Sequence, residues 1–545
     1  MTARTAVLPP PSEAGPWGLP LGLALVPFAP LVAAPWVGYD VLTVRGAVLL
    51  AEVACVFAVA TPARLADAWR AVPLWARAAL AVWLAWMGVT TLTAVHPGPA
   101  ALRTAEWVGH LALAAAVWGG ARHPSVREAM VRRSGGAVLL LSVGAVAWWC
   151  AEALGGGAPR TYTAPLAGAR NVGVYALLGL ALWLAAKPRE GGRAVWWAGW
   201  CAGWAVLAWT GGRASFAAAL VLLVAWAALG RPSWRVTARL AAAGAAGVVA
   251  SLPLPHDAGT GLGNLLRRSA AVGDGYASGR GELWVHVVEA WRARPWLGLG
   301  GDGPAFVLAD HTYAHNTVVQ ALGEWGLVGA AAFGALLLGA TWTLVVGAWR
   351  SRTPALAALA AGWLAASANG LLDGVFYGAL PLALLAVIVG AGGASVPGQE
   401  PAGPARRAPF RDAFVTAALA LVAAGAVWHL AASAARYAAG SPPPSSLQAR
   451  VALSTTTTYR QTEILWWARD WARDHPADAF RAARWGQRHS RTPWAFLSLE
   501  GDLRAAAGDS VAAADLWRRS GQSLASSFPV AMARAASGGD ASGAP

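Results

Sequence analysis

The chain has 545 residues, of which 57% are hydrophobic and only 13% charged, with a mean hydropathy of +0.46. That balance excludes a soluble globular enzyme and places the chain among polytopic membrane proteins. The formal net charge of +15 does not indicate nucleic acid, because the arginines are dispersed in short connections rather than gathered in one basic domain.

Segment 1–17 holds one arginine and a Pro-Pro-Pro run, then enters an apolar run without a convincing cleavage site, so no cleavable signal peptide is expected. Apolar runs long enough to cross about 30 Å of hydrocarbon follow at 18–36, 42–60, 76–95, 105–121, 136–154, 172–186, 194–210, 214–230, 237–253, 316–348, 355–372, 376–394 and 412–435. The expected fold is an all-α polytopic membrane protein with about 12–13 transmembrane helices, because the fourth, sixth and seventh runs are short or glycine-rich. The 63 glycines suit close helix packing in lipid. Many of the 32 tryptophans fall near run ends (Trp69, Trp75, Trp107, Trp196, Trp197, Trp234), where indole favours the interface. Trp183 and Trp204 read as packing residues. Cys55, Cys150 and Cys201 lie in apolar runs with no CxxC pair, so neither a disulfide framework nor a thiolate metal site is expected.

Arginine placement orients these runs. With a cytoplasmic N-terminus, the inner connections hold Arg4, Arg64, Arg70, Arg77, Arg122, Arg127, Arg132, Arg133, Lys187, Arg189, Arg193, Arg231, Arg235, Arg239, Arg350, Arg352, Arg406, Arg407 and Arg411. The short outer connections hold only Arg45, Arg103, Arg160, Arg170 and Arg213. This is a strong positive-inside bias. The domain plan that follows is a cytoplasmic N-terminus at 1–17, a membrane domain at 18–435 with a long outer loop at 254–314, and a helical-repeat-like domain at 436–545. SPPPSS marks the linker into that last domain. With thirteen spans, loop and tail share the side opposite the cytoplasm; with twelve the tail would lie inside. In the tail, Gly501, Gly508, Ala513, Trp517 and Ser520 fit the small and bulky positions of a tetratricopeptide-like repeat. A generic helical hairpin is the alternative.

The candidate chemistry gathers where the long loop meets the tenth run, at AHNTVVQALGEWGLVGAAAF (Ala314 to Phe333). His315, Asn316, Gln320 and Glu324 sit at the mouth of a hydrophobic span, where ionisable groups are costly unless they serve a cavity or a partner. Imidazole can take a proton near neutral pH, as activation of a hydroxyl nucleophile requires. Gln320 and Glu324 share a helix face. Glu324 lies too far along to assume contact with His315, and could pair with a buried arginine or cap a helix interrupted at Gly323 and Gly326. On the same side lie Arg213 in TGGRASF, Arg170 and Asn171 in GARNVGVY, and Arg280 in SGRGELW. Guanidinium binds phosphate oxygens bidentately without losing its charge, so such groups beside a span suit a lipid diphosphate. The plainer reading is contact with lipid headgroups or carboxylates. His110 and His429 read as structural, and His256 and His311 as loop residues. Asp257, Asp274, Asp302 and Asp310 are scattered with no DxD or ExD pair, so neither a metal nor a cofactor is expected.

Four pieces in order, RNVGVYALLGLAL, TGGRASFAAALV, SGRGELWVHVVEAWRARPWLGLGGDGPAF and AHNTVVQALGEWGLVGAAAF, make the chain resemble the O-antigen ligase and polymerase superfamily of bacterial envelope glycosyltransferases. The His-Asn followed by Glu-x-Gly-x-x-Gly is the most specific of them. The resemblance implies metal-independent, inverting transfer of a glycan from undecaprenyl diphosphate to an acceptor hydroxyl on a glycan, lipid or protein. It implies that Arg213 and Arg280 hold the diphosphate, that His315 acts as base on the acceptor or orients it, and that Asn171 and Asn316 support them. Arg170, Gln320 and Glu324 complete the candidate set. Two other classes compete. One is an envelope scaffold whose helical tail recruits a protein partner. The other is a small-solute transporter using Glu52, Glu106, Glu152 and Glu324, against which no internal inverted repeat is visible.

Overall fold

The computed structural model describes residues 18–37, 41–59, 72–155, 168–186, 188, 191–256, 260–270, 280–308, 313–397, 409–438, 476–489 and 493–527. Arg4, Arg64, Trp69, Arg70, Arg160, Lys187, Arg189, Asp257, Asp274, Asp310, His311, Arg406, Arg407 and the SPPPSS linker lie outside the described residues.

Each apolar run forms helix, and among the described residues there is no strand. In hydrocarbon an apolar run must satisfy its own backbone groups, and a helix does so within one segment. The helices are α1 (Gly18–Leu25), α2 (Ala29–Val37), α3 (Val41–Val59), α4 (Leu74–Leu92), α5 (Pro97–Ala121), α6 (Pro124–Leu154), α7 (Ala169–Ala185), α8 (Arg193–Thr210), α9 (Arg213–Gly230) and α10 (Trp234–Ala250). Two polar-region helices follow, α11 (Gly261–Ala270) and α12 (Arg280–Arg292), and then α13 (Thr317–Ser351), α14 (Pro354–Gly370), α15 (Ala379–Gly393) and α16 (Pro409–Ala438). The chain is thus an all-α polytopic membrane protein. By length and composition alone, α4, α6, α9 and α13 are able to cross a membrane. Helices α7 and α15 are shorter and buried on nearly every side, as expected of helices apolar all round. They form the centre: α7 packs on α6, α8 and α14, and α15 on α5 and α14.

Helix α13 is broken. Gly326 has φ 62° and ψ −167°, a conformation open essentially to glycine alone. Segment 295–300 fills the break. Leu327 N–H donates to the Pro295 carbonyl (2.8 Å), Leu299 N–H to that of Gly323 (2.8 Å) and Gly300 N–H to that of Glu324 (2.9 Å). Trp86 Nε1 donates to the Trp325 carbonyl at 2.9 Å. Non-helical backbone at this depth is tolerated because protein, not lipid, satisfies it. A Cβ on Gly326 would run into the Trp296 carbonyl. Gly326→Ala is therefore expected to lower stability by more than the ~1–3 kcal/mol of the backbone strain alone. An unchanged thermal midpoint in detergent would show that segment 295–300 yields instead.

Seated by this break, the 298–304 turn carries Asp302 into a cluster of buried charges. Arg45 of α3 donates to Asp302 in a bidentate way (2.7 and 3.2 Å) and lies 3.1 Å from Glu106 of α5. Arg103 of α5 lies 2.9 Å from Glu106, 3.9 Å from Asp302 and 3.8 Å from Glu324 of α13. His429 of α16 approaches Glu106 at 3.7 Å. Separately, His110 Nδ1 pairs with Glu52 at 2.8 Å between α5 and α3. Arg45 and Arg103, counted among outer-connection cations in the sequence, are thus interior ion-pair residues. Trp107 is interior as well, 7% exposed, and meets Trp83, Trp325 and Phe333 with ring centroids 5.0, 6.0 and 5.4 Å away. Its place near a run end did not make it interfacial, because Trp83 of α4 and Trp325 and Phe333 of α13 close over it.

The tail contains α17 (Pro476–His489), α18 (Pro493–Ala506) and α19 (Ser510–Ser527), packed in sequence. Gly501 sits against the Trp517 indole, where a Cβ would come within 2.6 Å, and Trp517 Nε1 donates to Asp502 at 3.0 Å.

Candidate active site

The first turns of α7, α9, α12 and α13 and the 371–378 connection from α14 to α15 contribute to one polar site. His315 immediately precedes α13, in a left-handed conformation (φ 52°) that is uncommon for a residue with a Cβ. Its neighbours hold it there. Ala314 N–H donates to Gln320 Oε1 at 2.8 Å. Asn316 caps α13, accepting from the N–H groups of Val318 (2.9 Å) and Val319 (3.0 Å), as asparagine does at helix starts. Its amide donates to the Leu371 carbonyl at 2.9 Å, and Thr317 Oγ1 donates to that of Gly370 at 2.8 Å. The helix start is thereby tied to the end of α14.

That tie brings His315 to Asp373, with Nδ1 2.9 Å from Oδ1. The same oxygen accepts the Gly374 N–H at 2.8 Å. Burial pushes the Asp373 carboxyl up, but the His315 hydrogen bond and charge, the Gly374 N–H and Arg280 outweigh it and hold it below the usual carboxylate range. The stability this contributes is present above the unfolded value of about 4 and is lost only as pH falls through the lower folded value. The difference in melting temperature between wild type and Asp373→Asn is therefore expected to stay constant above about pH 5 and to close at more acid pH. A gap that closed near neutrality would contradict an ionised Asp373.

Arg280, at the start of α12, faces this dyad. Burial pulls its guanidinium below the ordinary value; Asp373 and Tyr313 oppose the shift, while Arg170 and Arg213 add to it. Three cations from three helices therefore share one electrostatic neighbourhood. Arg170 opens α7 on the exposed side, Asn171 is half-buried beside it, and Arg213 opens α9 half-buried. Like charges held together in this way raise the local positive potential.

Beneath His315 the rings of Tyr313 and Tyr377 stack at 4.7 Å, and Tyr313 meets His315 at 4.2 Å. Burial, reinforced by Asp373, pushes the Tyr313 phenol well above its usual value, so it stays neutral. Below Tyr377 lie the Arg45 and Arg103 guanidiniums, 4.8 and 4.7 Å from its ring centre. Gln320 Nε2 donates to Glu324 Oε1 at 2.7 Å. Glu324 therefore belongs to the ion cluster and does not touch His315. The predicted residues thus divide in two: His315, Asn316, Arg170, Asn171, Arg213 and Arg280 on top, Gln320 and Glu324 underneath. Asp373 was missed by sequence reasoning. The available signal was a lone carboxylate in the short connection GLLDGVFYG between two apolar runs.

Two cavities adjoin here. A small one of about 20 Å³ is bordered by His315, Asp373, Tyr313, Arg103 and Glu324. A large apolar one of about 760 Å³ runs between α4, α5, α13 and α15. Trp107, Phe333 and Phe376 line both. Among the described residues no group of three His, Cys, Asp or Glu side chains is arranged to hold a metal ion.

No curated protein matches the chain. A family model described as O-antigen ligase matches residues 198–334, a segment that includes Arg213, Arg280, His315, Gln320 and Glu324 but neither Arg170 nor Asp373. This match covers the segment that builds most of the polar site, so the chain is a multi-pass membrane protein similar over that segment to the O-antigen ligase family.

Proposed function

We propose that the chain transfers a glycan from undecaprenyl diphosphate to an acceptor hydroxyl at the outer face of a bacterial inner membrane, with inversion and without a metal. The observation that carries this reading is the grouping of Arg170, Arg213 and Arg280 beside the His315–Asp373 dyad, above a large apolar cavity. Guanidiniums suit the diphosphate, and a cavity of this size and lining suits part of an isoprenoid chain. Trp107, Phe333 and Phe376 border both spaces, which supports a single ligand path.

In this reading the acceptor oxygen attacks the anomeric carbon as the bond from that carbon to the diphosphate oxygen breaks. The electron pair leaves with the diphosphate, and the hydroxyl proton passes to His315 Nε2. Asp373, on Nδ1, fixes the ring tautomer and steadies the imidazolium that forms. Arg213 and Arg280 compensate the charge developing on the leaving group. Attack opposite the leaving diphosphate inverts the centre. The carboxylates that a transporter would need are committed elsewhere: Glu106 and Glu324 to arginines, Glu52 to His110, and Glu152 to the Trp148 indole.

The test is transfer in proteoliposomes supplied with an undecaprenyl-diphosphate oligosaccharide, acceptor and EDTA. Wild type is expected to form product. Arg213→Ala and Arg280→Ala are expected to raise the donor KM about 10- to 100-fold, the worth of one charged hydrogen bond. Unchanged donor KM in both variants would remove them from the diphosphate site, and product length separates ligation from chain extension.

A further inference from the structure

Arg103 is only 1% exposed and sits below the dyad without touching it. Its contacts reach both halves of that dyad. One guanidinium nitrogen donates to the Tyr377 carbonyl (3.1 Å) and the other to the Phe376 carbonyl (3.2 Å), which pins the 371–378 connection that carries Asp373. On its other side Arg103 Nε lies 3.8 Å from Glu324 Oε2. The other oxygen of Glu324 accepts from Gln320, and Gln320 Oε1 accepts the Ala314 N–H next to His315. A third route is the ring column, in which the guanidinium under Tyr377 supports Tyr313 and Tyr313 supports His315.

We propose that Arg103 is the positioning residue of the His315–Asp373 dyad, holding the segment that presents the aspartate by two hydrogen bonds and the segment that presents the histidine through its charge on Glu324 and its place under the ring column. The proposal rests on the transfer reading above. His315 needs such support because its backbone is in a sparsely populated conformation that persists only when its surroundings over-determine it. The alternative role for Arg103 is simple neutralisation of Glu106, Asp302 and Glu324. The two roles differ in what lysine can do. An ammonium supplies the charge, but it cannot hold the two carbonyls in the fixed directions of a guanidinium.

Arg103→Lys and Gln320→Met test this in the proteoliposome assay. Gln320→Met cuts the arm to Ala314 at nearly constant volume and leaves every ion pair in place. Positioning predicts that each lowers kcat about 10- to 100-fold, the cost of about an ångström of misplacement, at unchanged donor KM. It also predicts that Arg103→Lys and Asp373→Asn combine less than additively, because both act through the orientation of one imidazole. If Arg103→Lys fails to fold, Gln320→Met carries the test alone. Wild-type kcat in Gln320→Met, or full additivity with Asp373→Asn, overturns positioning while His315→Ala remains inactive. Full activity in His315→Ala overturns the transfer reading itself, and the proposal with it.

Discussion

His315→Ala is expected to reduce glycan transfer by about 10²- to 10⁴-fold at saturating donor, the range for loss of a positioned general base. Donor affinity should change little, because the diphosphate is assigned to Arg213 and Arg280. Asp373→Asn is expected to fall between wild type and His315→Ala: the imidazole remains, but the carboxylate that accepts from Nδ1–H and stabilises the charged ring is gone. The measurement is initial rate against donor concentration for the three proteins reconstituted at matched amounts. A fall in donor affinity alone, with kcat preserved, would make His315 a binding group rather than a base. Equal loss in Asp373→Asn and His315→Ala would mean that the dyad acts as one unit.

The second large effect is on folding. Arg45→Met is expected to cost about 3–5 kcal/mol, the usual penalty for removing one member of a buried ion pair. The reason lies in the charge count. Arg45 and Arg103 face Glu106, Asp302 and Glu324, so without Arg45 a single guanidinium would serve three carboxylates in the interior. Asp302→Asn is expected to be milder, because Arg45 keeps Glu106 at 3.1 Å and the remaining charges balance. Thermal midpoints in detergent, read by intrinsic tryptophan fluorescence, would rank the two variants. A larger loss in Asp302→Asn than in Arg45→Met would show that seating the 298–304 turn matters more than neutralising the carboxylates.

These effects also divide what was legible from what was not. Arg213, Arg280 and His315 stood out because each breaks the expected pattern of a polar connection or span mouth. Arg45 and Arg103 broke the same pattern, yet their roles were hidden, since their carboxylate partners lie on other segments. Asp302 is 257 residues from Arg45 and Asp373 is 58 from His315. Glu324 was open to two readings from spacing alone. The structure pairs it with Arg103 and also places the helix break at Gly326, two residues further on.

By itself the sequence determined the helices and the membrane class. Both follow from a local demand, that every long apolar run satisfy its backbone groups within itself, and composition over about twenty residues is enough to answer it. It also marked His315 as the junction of a polar loop with a hydrophobic span. Only the tertiary structure decided which charges meet. In lipid, helix association depends on close packing of small residues and on interhelical hydrogen bonds, and these are set by the facing surfaces of segments far apart in the chain. The His315–Asp373 contact exists because α13 and α14 dock at Thr317 and Gly370, and no periodicity within either helix specifies that register.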